Sequence, residues 1–194
     1  MILQKYGIQL CSMQHDDIQK VRSWRNAKHV QKNMLYKGKI TSEMQEEWFT
    51  NLDGSSAYFM IIHQSISIGV IYVKDINWGN RTGEAGIFIG NQEYHKSYIP
   101  MLAIICLMDS FFDQFSFSKL KAKVKKSNNS VLDFNFTLGY KQVNETDTYH
   151  ELLVSKEAYS KSKMKLLKII NTFDLGDDLS KFSKKEKNYF FLRK

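Results

Sequence analysis

The chain has 194 residues, of which 43% are hydrophobic and 13% aromatic, and it contains a single proline. This length and composition suit one folded domain with a small appendage, and they exclude a linker-rich or disordered protein. The net charge of +8 comes from the C-terminal part, since residues 1–118 hold 11 Lys/Arg and 11 Asp/Glu while residues 119–194 hold 17 and 9; this predicts either an anionic partner or a solvated basic surface.

No segment predicts membrane insertion or export. No run reaches the ~18 apolar residues that a membrane span needs. The first residues lack a basic start followed by a long apolar region, so no signal peptide is expected. The two cysteines, Cys11 and Cys106, lie far apart in the sequence. We therefore expect a reducing, cytoplasmic setting.

The first half of the chain predicts one strand, two helices and three further strands. Ile18, Val21 and Trp24 recur near helical spacing, and Thr41 or Ser42 is typical of a helix N-cap. The predicted elements are a strand at 2–12, a helix at 15–25, an irregular segment at 26–40, a helix that begins at 41–42, and strands at 58–63, 67–75 and 84–89.

The second half adds helices between strands and a helical tail. Pro100 predicts a helix start, because the first helical position has no intrahelical partner for its N–H. Lysines at 121, 123 and 125 alternate with apolar residues, as in a half-buried strand. The predicted elements are a helix at 100–112, a strand at 120–126, a helix at 131–138, strands at 140–143 and 149–154, and a helix at 156–173.

Residues 84–140 carry the most informative pattern. A strand that ends in glycine leads through a polar loop into the Pro100 helix, and the free N–H groups of a helix start can hold a phosphate. Asn128-Asn129-Ser130 and Leu138-Gly139-Tyr140 then bracket a second helix. The ordered series predicts a site for a ligand that carries phosphate, in a cleft formed where two neighbouring strands part after Phe88.

The element order β-α-α-β-β-β-α-β-α-β-β with this motif set resembles the GNAT N-acetyltransferases over roughly residues 5–155. Arg22-Ser23-Trp24-Arg25-Asn26, Glu47-Trp48-Phe49 and Asp75-Ile76 look most like the amino-sugar members, such as the pseudaminic-acid pathway enzyme. The resemblance implies an α/β (α+β) fold with a mixed, mostly antiparallel twisted sheet flanked by helices. The domain would cover residues 1–155, with a basic helical extension at 156–194.

The resemblance also implies acetyl-CoA as cosubstrate, and it places the residues that would bind it. Ile87, Phe88 and Ile89 would offer backbone groups to the pantetheine and the thioester carbonyl. Asn128 or Asn129 would hydrogen-bond the pantetheine arm. The pyrophosphate loop would be Tyr94, His95, Lys96, Ser97, Tyr98 and Ile99.

Two positions depart from the family pattern. The pyrophosphate loop has lost its glycines, so Lys96, Ser97 and the remaining N–H groups would hold the phosphates. The tyrosine that often protonates the leaving thiolate falls at Asn135, whose amide cannot act as an acid. Tyr140, Tyr149 or water would replace it.

Glu84 is the first candidate for the base that removes a proton from the acceptor amine, because it begins the strand beside the thioester. A surface or hydrogen-bonded structural carboxylate is the alternative. His150 is the second candidate, next to Tyr149 on a late strand. His63 lies in an apolar strand and is more typical of a core histidine.

The cluster Arg22, Trp24, Arg25 and Asn26 is the candidate acceptor site. The arginines would bind the diphosphate of a sugar nucleotide and Trp24 would stack on its base. The alternative is that Trp24 packs in the core and Arg25 makes an ordinary salt bridge.

Three functions follow. The first is an acetyl-CoA-dependent N-acetyltransferase that acts on a small amine, an amino sugar linked to a nucleotide. The second is a protein N-terminal acetyltransferase of the ribosomal-protein type, and the third is a non-catalytic CoA-binding module. Nucleic-acid binding by the lysine-rich strand ranks below these three functions. No residue spacing typical of a metal site appears. The C-terminal tail would pack either on the domain or on a second subunit, so the sequence is consistent with a homodimer.

Overall fold

The computed structural model describes residues 1–171. The strands in this part of the chain are β1 Ile2–Lys5, β2 Ile8–Ser12, β3 Ala57–His63, β4 Ile66–Asn77, β5 Thr82–Ile89, β6 Lys119–Lys125, β7 Lys141–Glu145 and β8 Tyr149–Ser155. The α-helices are α1 Ile18–Asn26, α2 Lys28–Gln31, α3 Ser42–Thr50, α4 Ile99–Asp109, α5 Asn129–Thr137 and α6 Lys156–Asn171.

The strands form one sheet in the order β1-β2-β3-β4-β5-β6-β8-β7. Each neighbouring pair is antiparallel except β5 and β6, which are parallel. The predicted mixed, mostly antiparallel sheet flanked by helices is confirmed.

Helices cover both faces of the sheet. Met60, Val70 and Phe88 project from what we call the front face, where they pack with side chains of α1, α2 and α3. The back face packs against α4, α5 and α6 in the larger of the two cores. Nearly every side chain of α4 is buried, which explains why that helix is apolar on all sides.

Three local predictions are wrong. The strand expected at 2–12 is a hairpin of β1 and β2, because Tyr6 and Gly7 adopt positive φ values of 57° and 72° and reverse the chain in two residues. Part of the segment expected to be irregular forms α2. Pro100 is the second residue of α4, one position later than expected.

The C-terminal extension begins with α6, which packs on the domain. Tyr159 and Leu166 of this helix belong to the back-face core. The rest of the predicted extension, residues 172–194, lies outside the described residues.

Asp109, at the end of α4, joins three elements in the back-face core. Its side chain is 4% exposed and forms ion pairs with Lys5 and Lys163. It also accepts hydrogen bonds from the hydroxyls of Tyr6 at 3.0 Å and Tyr159 at 2.8 Å. Burial alone would raise the pKa of Asp109, but the hydrogen bonds from Lys163, Lys5 and Tyr159 outweigh it and lower the pKa.

A lowered pKa in the folded state stabilises the fold above the unfolded pKa, and this stability is lost as the pH falls through the folded value. We expect Asp109→Asn to reduce the free energy of unfolding at pH 7 by about 3 kcal/mol, because Lys163, whose side chain is 17% exposed, loses the carboxylate that neutralises it. Denaturant titrations should show the difference from wild type narrowing below about pH 4.

Asp113→Asn is the matched control, since Asp113 pairs with Lys156 at 3.1 Å but its side chain is 58% exposed. That substitution should change the free energy of unfolding by less than about 1 kcal/mol. Equal effects of the two substitutions would contradict a stabilising role for the buried cluster.

Candidate active site

The ladder between β5 and β6 is short. Thr82, Gly83 and Glu84 pair with residues 119–121, after which the two strands separate. β5 continues to Ile89 alongside β4, and β6 continues to Lys125 alongside β8. We call this point of separation the fork. It lies after Glu84, four residues earlier than the predicted separation after Phe88.

The edge of β5 beyond the fork has backbone groups that face the gap. The N–H of Gly90 donates to the carbonyl of Ile68 on β4 at 2.9 Å. Because hydrogen-bonding direction alternates along an antiparallel ladder, the backbone groups of Phe88 also face β4, whereas those of Ile87 and Ile89 face the gap. The backbone of Phe88 is therefore turned away from the cofactor position that we predicted for it.

A cavity of about 820 Å³ passes through the gap and opens between the two helical layers. Glu84, Gly86 and Phe88 line it from β5, and Ala122 and Lys123 line it from β6. It combines an apolar channel with a few polar groups, as small-molecule sites in proteins do.

Glu84 lies at the fork on the front face, with a side chain that is 10% exposed. Its Oε1 is 3.1 Å from Lys74 Nζ and its Oε2 is 3.2 Å from Lys123 Nζ. Glu84 is the sole carboxylate lining the cavity among residues 1–171. The predicted base is therefore in the cavity, but both of its oxygens are already ion-paired.

Three aromatic rings form the front wall of the cavity. Tyr58 and Tyr72 stack with their centroids 4.9 Å apart, and Trp48 meets Tyr58 edge-on, also at 4.9 Å. Tyr72 covers Gly86, where a Cβ atom would lie 2.3 Å from the tyrosine hydroxyl. Burial raises the pKa of Tyr72 and raises that of Tyr58 to about 12, so both hydroxyls keep their protons near neutral pH.

Lysine and histidine side chains gather where the cavity meets α2 and the start of α4. His29, Lys32, His95, Lys96 and Lys125 all line this end. The rings of His29 and His95 lie 6.0 Å apart, edge to face. Burial lowers the pKa of His95, and His29, Lys32 and Lys96 lower it further. This end of the cavity therefore suits a polyanion.

The predicted phosphate loop contributes only in part. His95 and Lys96 line the cavity, whereas Tyr94, Ser97, Tyr98 and Ile99 do not. The Ser97 hydroxyl donates to the Tyr94 carbonyl at 2.8 Å and accepts from the Ile99 N–H at 3.3 Å. Ser97 thus fixes the loop instead of leaving these groups open to a phosphate.

The α5 region supplies Asn128, Asn135 and Tyr140 to the cavity, while Asn129 is exposed outside it. Asn135 donates to the Val131 carbonyl of its own helix at 2.8 Å. Tyr140 is 5% exposed, and burial raises the pKa of its hydroxyl. A protonated phenol therefore lies on the back-face side of the cavity.

The predicted acceptor cluster is divided by the structure. Arg25 lines the cavity, and its buried Nε has no hydrogen-bond partner among residues 1–171. Asn26 instead fixes the 32–40 segment through two 2.8 Å hydrogen bonds with the backbone of Ile40. Arg22 donates to Gln19 at 2.8 Å, and Trp24 packs over Gly90, so neither lines the cavity.

His150 lies outside the cavity. It lies opposite Val124 in the β6–β8 ladder, so it shares the back face with that residue, whereas Glu84 is on the front face. Its Nδ1 is 3.4 Å from Glu145. Tyr149 lies on the front face, with its ring 5.6 Å from Lys123 Nζ, but it does not line the cavity.

Lys74, Tyr72 and Tyr58 were missed as site residues. Val70, Tyr72 and Lys74 alternate along β4, and this two-residue period was the available signal that they share a face. The two-residue period does not show which face of the sheet the acceptor binds.

Within residues 1–171, no three His, Cys, Asp or Glu side chains come close enough to hold a metal ion. None of the helices in the same range is long and apolar enough to cross a membrane.

Comparison with known proteins agrees with this geometry. Residues 8–141 match the family profile described as acetyltransferase (GNAT) domain. No curated protein sequence matches the chain significantly.

Solved structures share the fold at low identity. The structure described as apo FdhC, a nucleotide-linked sugar GNAT, is 20% identical with a TM-score of 0.73, over 86% of this chain and 97% of that one. Spermidine N-acetyltransferase from Vibrio cholerae, in complex with CoA and spermine, is 16% identical with a TM-score of 0.68, over 79% of this chain and 98% of that one.

A GNAT profile that spans most of the chain and a sheet that opens between two parallel strands lead to one conclusion: this protein belongs to the GNAT acetyltransferase family.

Proposed function

We propose that this N-acetyltransferase transfers the acetyl group of acetyl-CoA to a primary amine on an anionic small molecule, specifically an amino sugar linked to a nucleotide. The observation that carries the proposal is the charge of the cavity. Among the described residues, six Lys and Arg side chains line it against one carboxylate, and that carboxylate is bound by two of the lysines.

The charge argues against a polyamine as acceptor. A polyamine carries several ammonium groups, and a cavity of like charge repels it. A nucleotide-linked sugar carries a diphosphate, which arginine and lysine bind through charge-assisted hydrogen bonds. The FdhC structure is described as a nucleotide-linked sugar GNAT, which is consistent with this choice.

The cofactor would occupy the gap and the cationic end. With the phosphates at the basic end, the pantetheine would run along β5 and bond first to the backbone of Ile89 and then to that of Ile87. The thioester would then lie toward the fork, beside Glu84, and not at Ile89 as the sequence predicted. His95, Lys96 and the neighbouring cations would bind the phosphates in place of loop glycines. Asn128 and Asn135 would flank the pantetheine from α5.

The acceptor would approach from the front face. Trp48, Tyr58 and Tyr72 offer a flat wall for the sugar or the base. Arg25 offers a buried Nε that no group in the described part of the chain bonds. The amine nitrogen would attack the thioester carbon. Glu84, the carboxylate at the fork, would accept the released proton through water, and Tyr140 would protonate the departing thiolate.

An acceptor panel tests the proposal. We expect acetyl transfer from acetyl-CoA to nucleotide-linked amino sugars, with weaker transfer to the free amino sugars and none to spermidine. The rate of transfer is measured by the release of the CoA thiol. Acetylation of a peptide N-terminus without acetylation of any amino sugar would favour a protein N-terminal acetyltransferase. Binding of acetyl-CoA without any turnover would favour the non-catalytic module.

Arg25→Leu should raise KM for the nucleotide-linked acceptor at least about tenfold, because a charged hydrogen bond to the ligand contributes about 1.5–3 kcal/mol. KM for acetyl-CoA should stay near the wild-type value. Arg22→Leu is the matched control, three residues earlier on α1 and outside the cavity. Equal changes in both variants would exclude a specific role for Arg25.

Tyr140→Phe should lower kcat about 10²-fold, because general acids typically contribute 10²–10⁴-fold. Acetyl-CoA affinity, measured by calorimetry, should be unchanged. Tyr149→Phe serves as the comparison, since Tyr149 does not line the cavity. A larger loss in the Tyr149 variant would reverse the assignment.

A further inference from the structure

Lys123 reaches across the fork on the front face. Lys123 is on β6, two residues after Lys121, which forms the last pair of the β5–β6 ladder. Its Nζ lies 3.2 Å from the Glu84 carboxylate on β5. Its side chain is 33% exposed and lines the cavity. An amine therefore lies where the proposed acceptor amine must approach the thioester.

A lysine amine and the proposed acceptor belong to the same chemical class. Only the unprotonated amine has the lone pair that attacks an acyl carbon. The hydrogen bond to Glu84 raises the pKa of Lys123, which keeps the amine protonated, whereas nearby Lys74 acts in the opposite direction. Glu84 also binds Lys74, so a single carboxylate restrains both amines.

We propose that Lys123 is a self-acetylation site of this enzyme, and that its ion pair with Glu84 protects it from the enzyme's own acetyl-CoA. The inference rests on the proposed use of acetyl-CoA, but not on the identity of the acceptor. Glu84 then has a second role: by holding Lys123 in its charged form, it leaves the acceptor amine as the preferred nucleophile.

The step is ordinary acyl transfer. The lysine nitrogen attacks the thioester carbonyl, a C–N bond forms and the C–S bond breaks. CoA leaves as the thiolate and takes up the proton that the amine loses. The product is a neutral amide, which can no longer pair with Glu84 and projects into the acceptor half of the cavity.

The charged surroundings of Lys123 come from three strands. Glu84 and Lys74 face it from β5 and β4, and the ring of Tyr149 lies 5.6 Å away on β8. Glu151 is its ladder partner on β8, but that carboxylate is bonded to Asn144 at 3.0 Å. Replacing Glu84 therefore removes the main anionic neighbour of Lys123 and leaves Lys74 unopposed.

The test incubates Glu84→Gln and wild-type protein with acetyl-CoA in the absence of acceptor and maps acetylated lysines by peptide mass spectrometry. Acetylation at Lys123 should be faster in the variant by about tenfold for each unit by which the pKa of Lys123 falls. Lys121 is the internal control, since it lies on the same strand and face but outside the cavity. Its slow chemical acetylation should be equal in both proteins.

Glu84→Gln combined with Lys123→Arg should lose the modification while keeping the positive charge. If the amide variant does not fold, Glu84→Asp, whose shorter carboxylate weakens the ion pair, should give an intermediate rate. Acetylation of Lys123 no faster than that of Lys121 in a folded variant that binds acetyl-CoA would overturn the self-acetylation alone. Failure of the wild-type protein to bind acetyl-CoA would overturn this inference and the proposed function together.

Discussion

The structure depends on a ladder that stops after three residue pairs. β5 and β6 share hydrogen bonds at Thr82–Glu84 and then separate, although both strands continue. Unpaired backbone groups away from water are costly, so a sheet that opens in its middle needs another partner for them. In a GNAT acetyltransferase the partner is a linear cofactor that has amide groups of its own. The gap in the sheet is therefore where we propose that acetyl-CoA binds.

Charge organises the rest of the cavity. One end, near α2 and α4, carries the histidines and lysines suited to phosphates, and the front face carries Arg25, Lys74 and Lys123. Glu84 stands between them and holds two of these cations at 3.1 and 3.2 Å. A cavity of this kind favours anionic ligands. In the function proposed above, the Glu84 ion pairs also hold the two lysine amines in their charged form.

Much of this could be predicted from the sequence because it depends on local pattern. The alternation of lysine and apolar residues in β6, the N-cap at Thr41 and the apolar α4 are all visible in short windows of sequence. In the structure, Thr41 accepts a hydrogen bond from the Met44 N–H at 3.3 Å. The Tyr6-Gly7 hairpin was missed because the strand-forming residues on the two sides of the turn were interpreted as one continuous strand. The position of the fork was missed because strand separation depends on partners that lie 37 residues apart, at Glu84 and Lys121.

The amino-acid sequence by itself determined the family and most of the element order, apart from the first hairpin and α2, and it supplied candidates for the acetyl-CoA site. Tertiary structure alone decided which of them meet. Arg25 enters the cavity while Arg22, three residues earlier, stays outside, and His150 lies on the opposite face from Glu84. Local periodicity fixes which residues share a face of one element, but the faces of separate elements are brought together only by packing across the sheet.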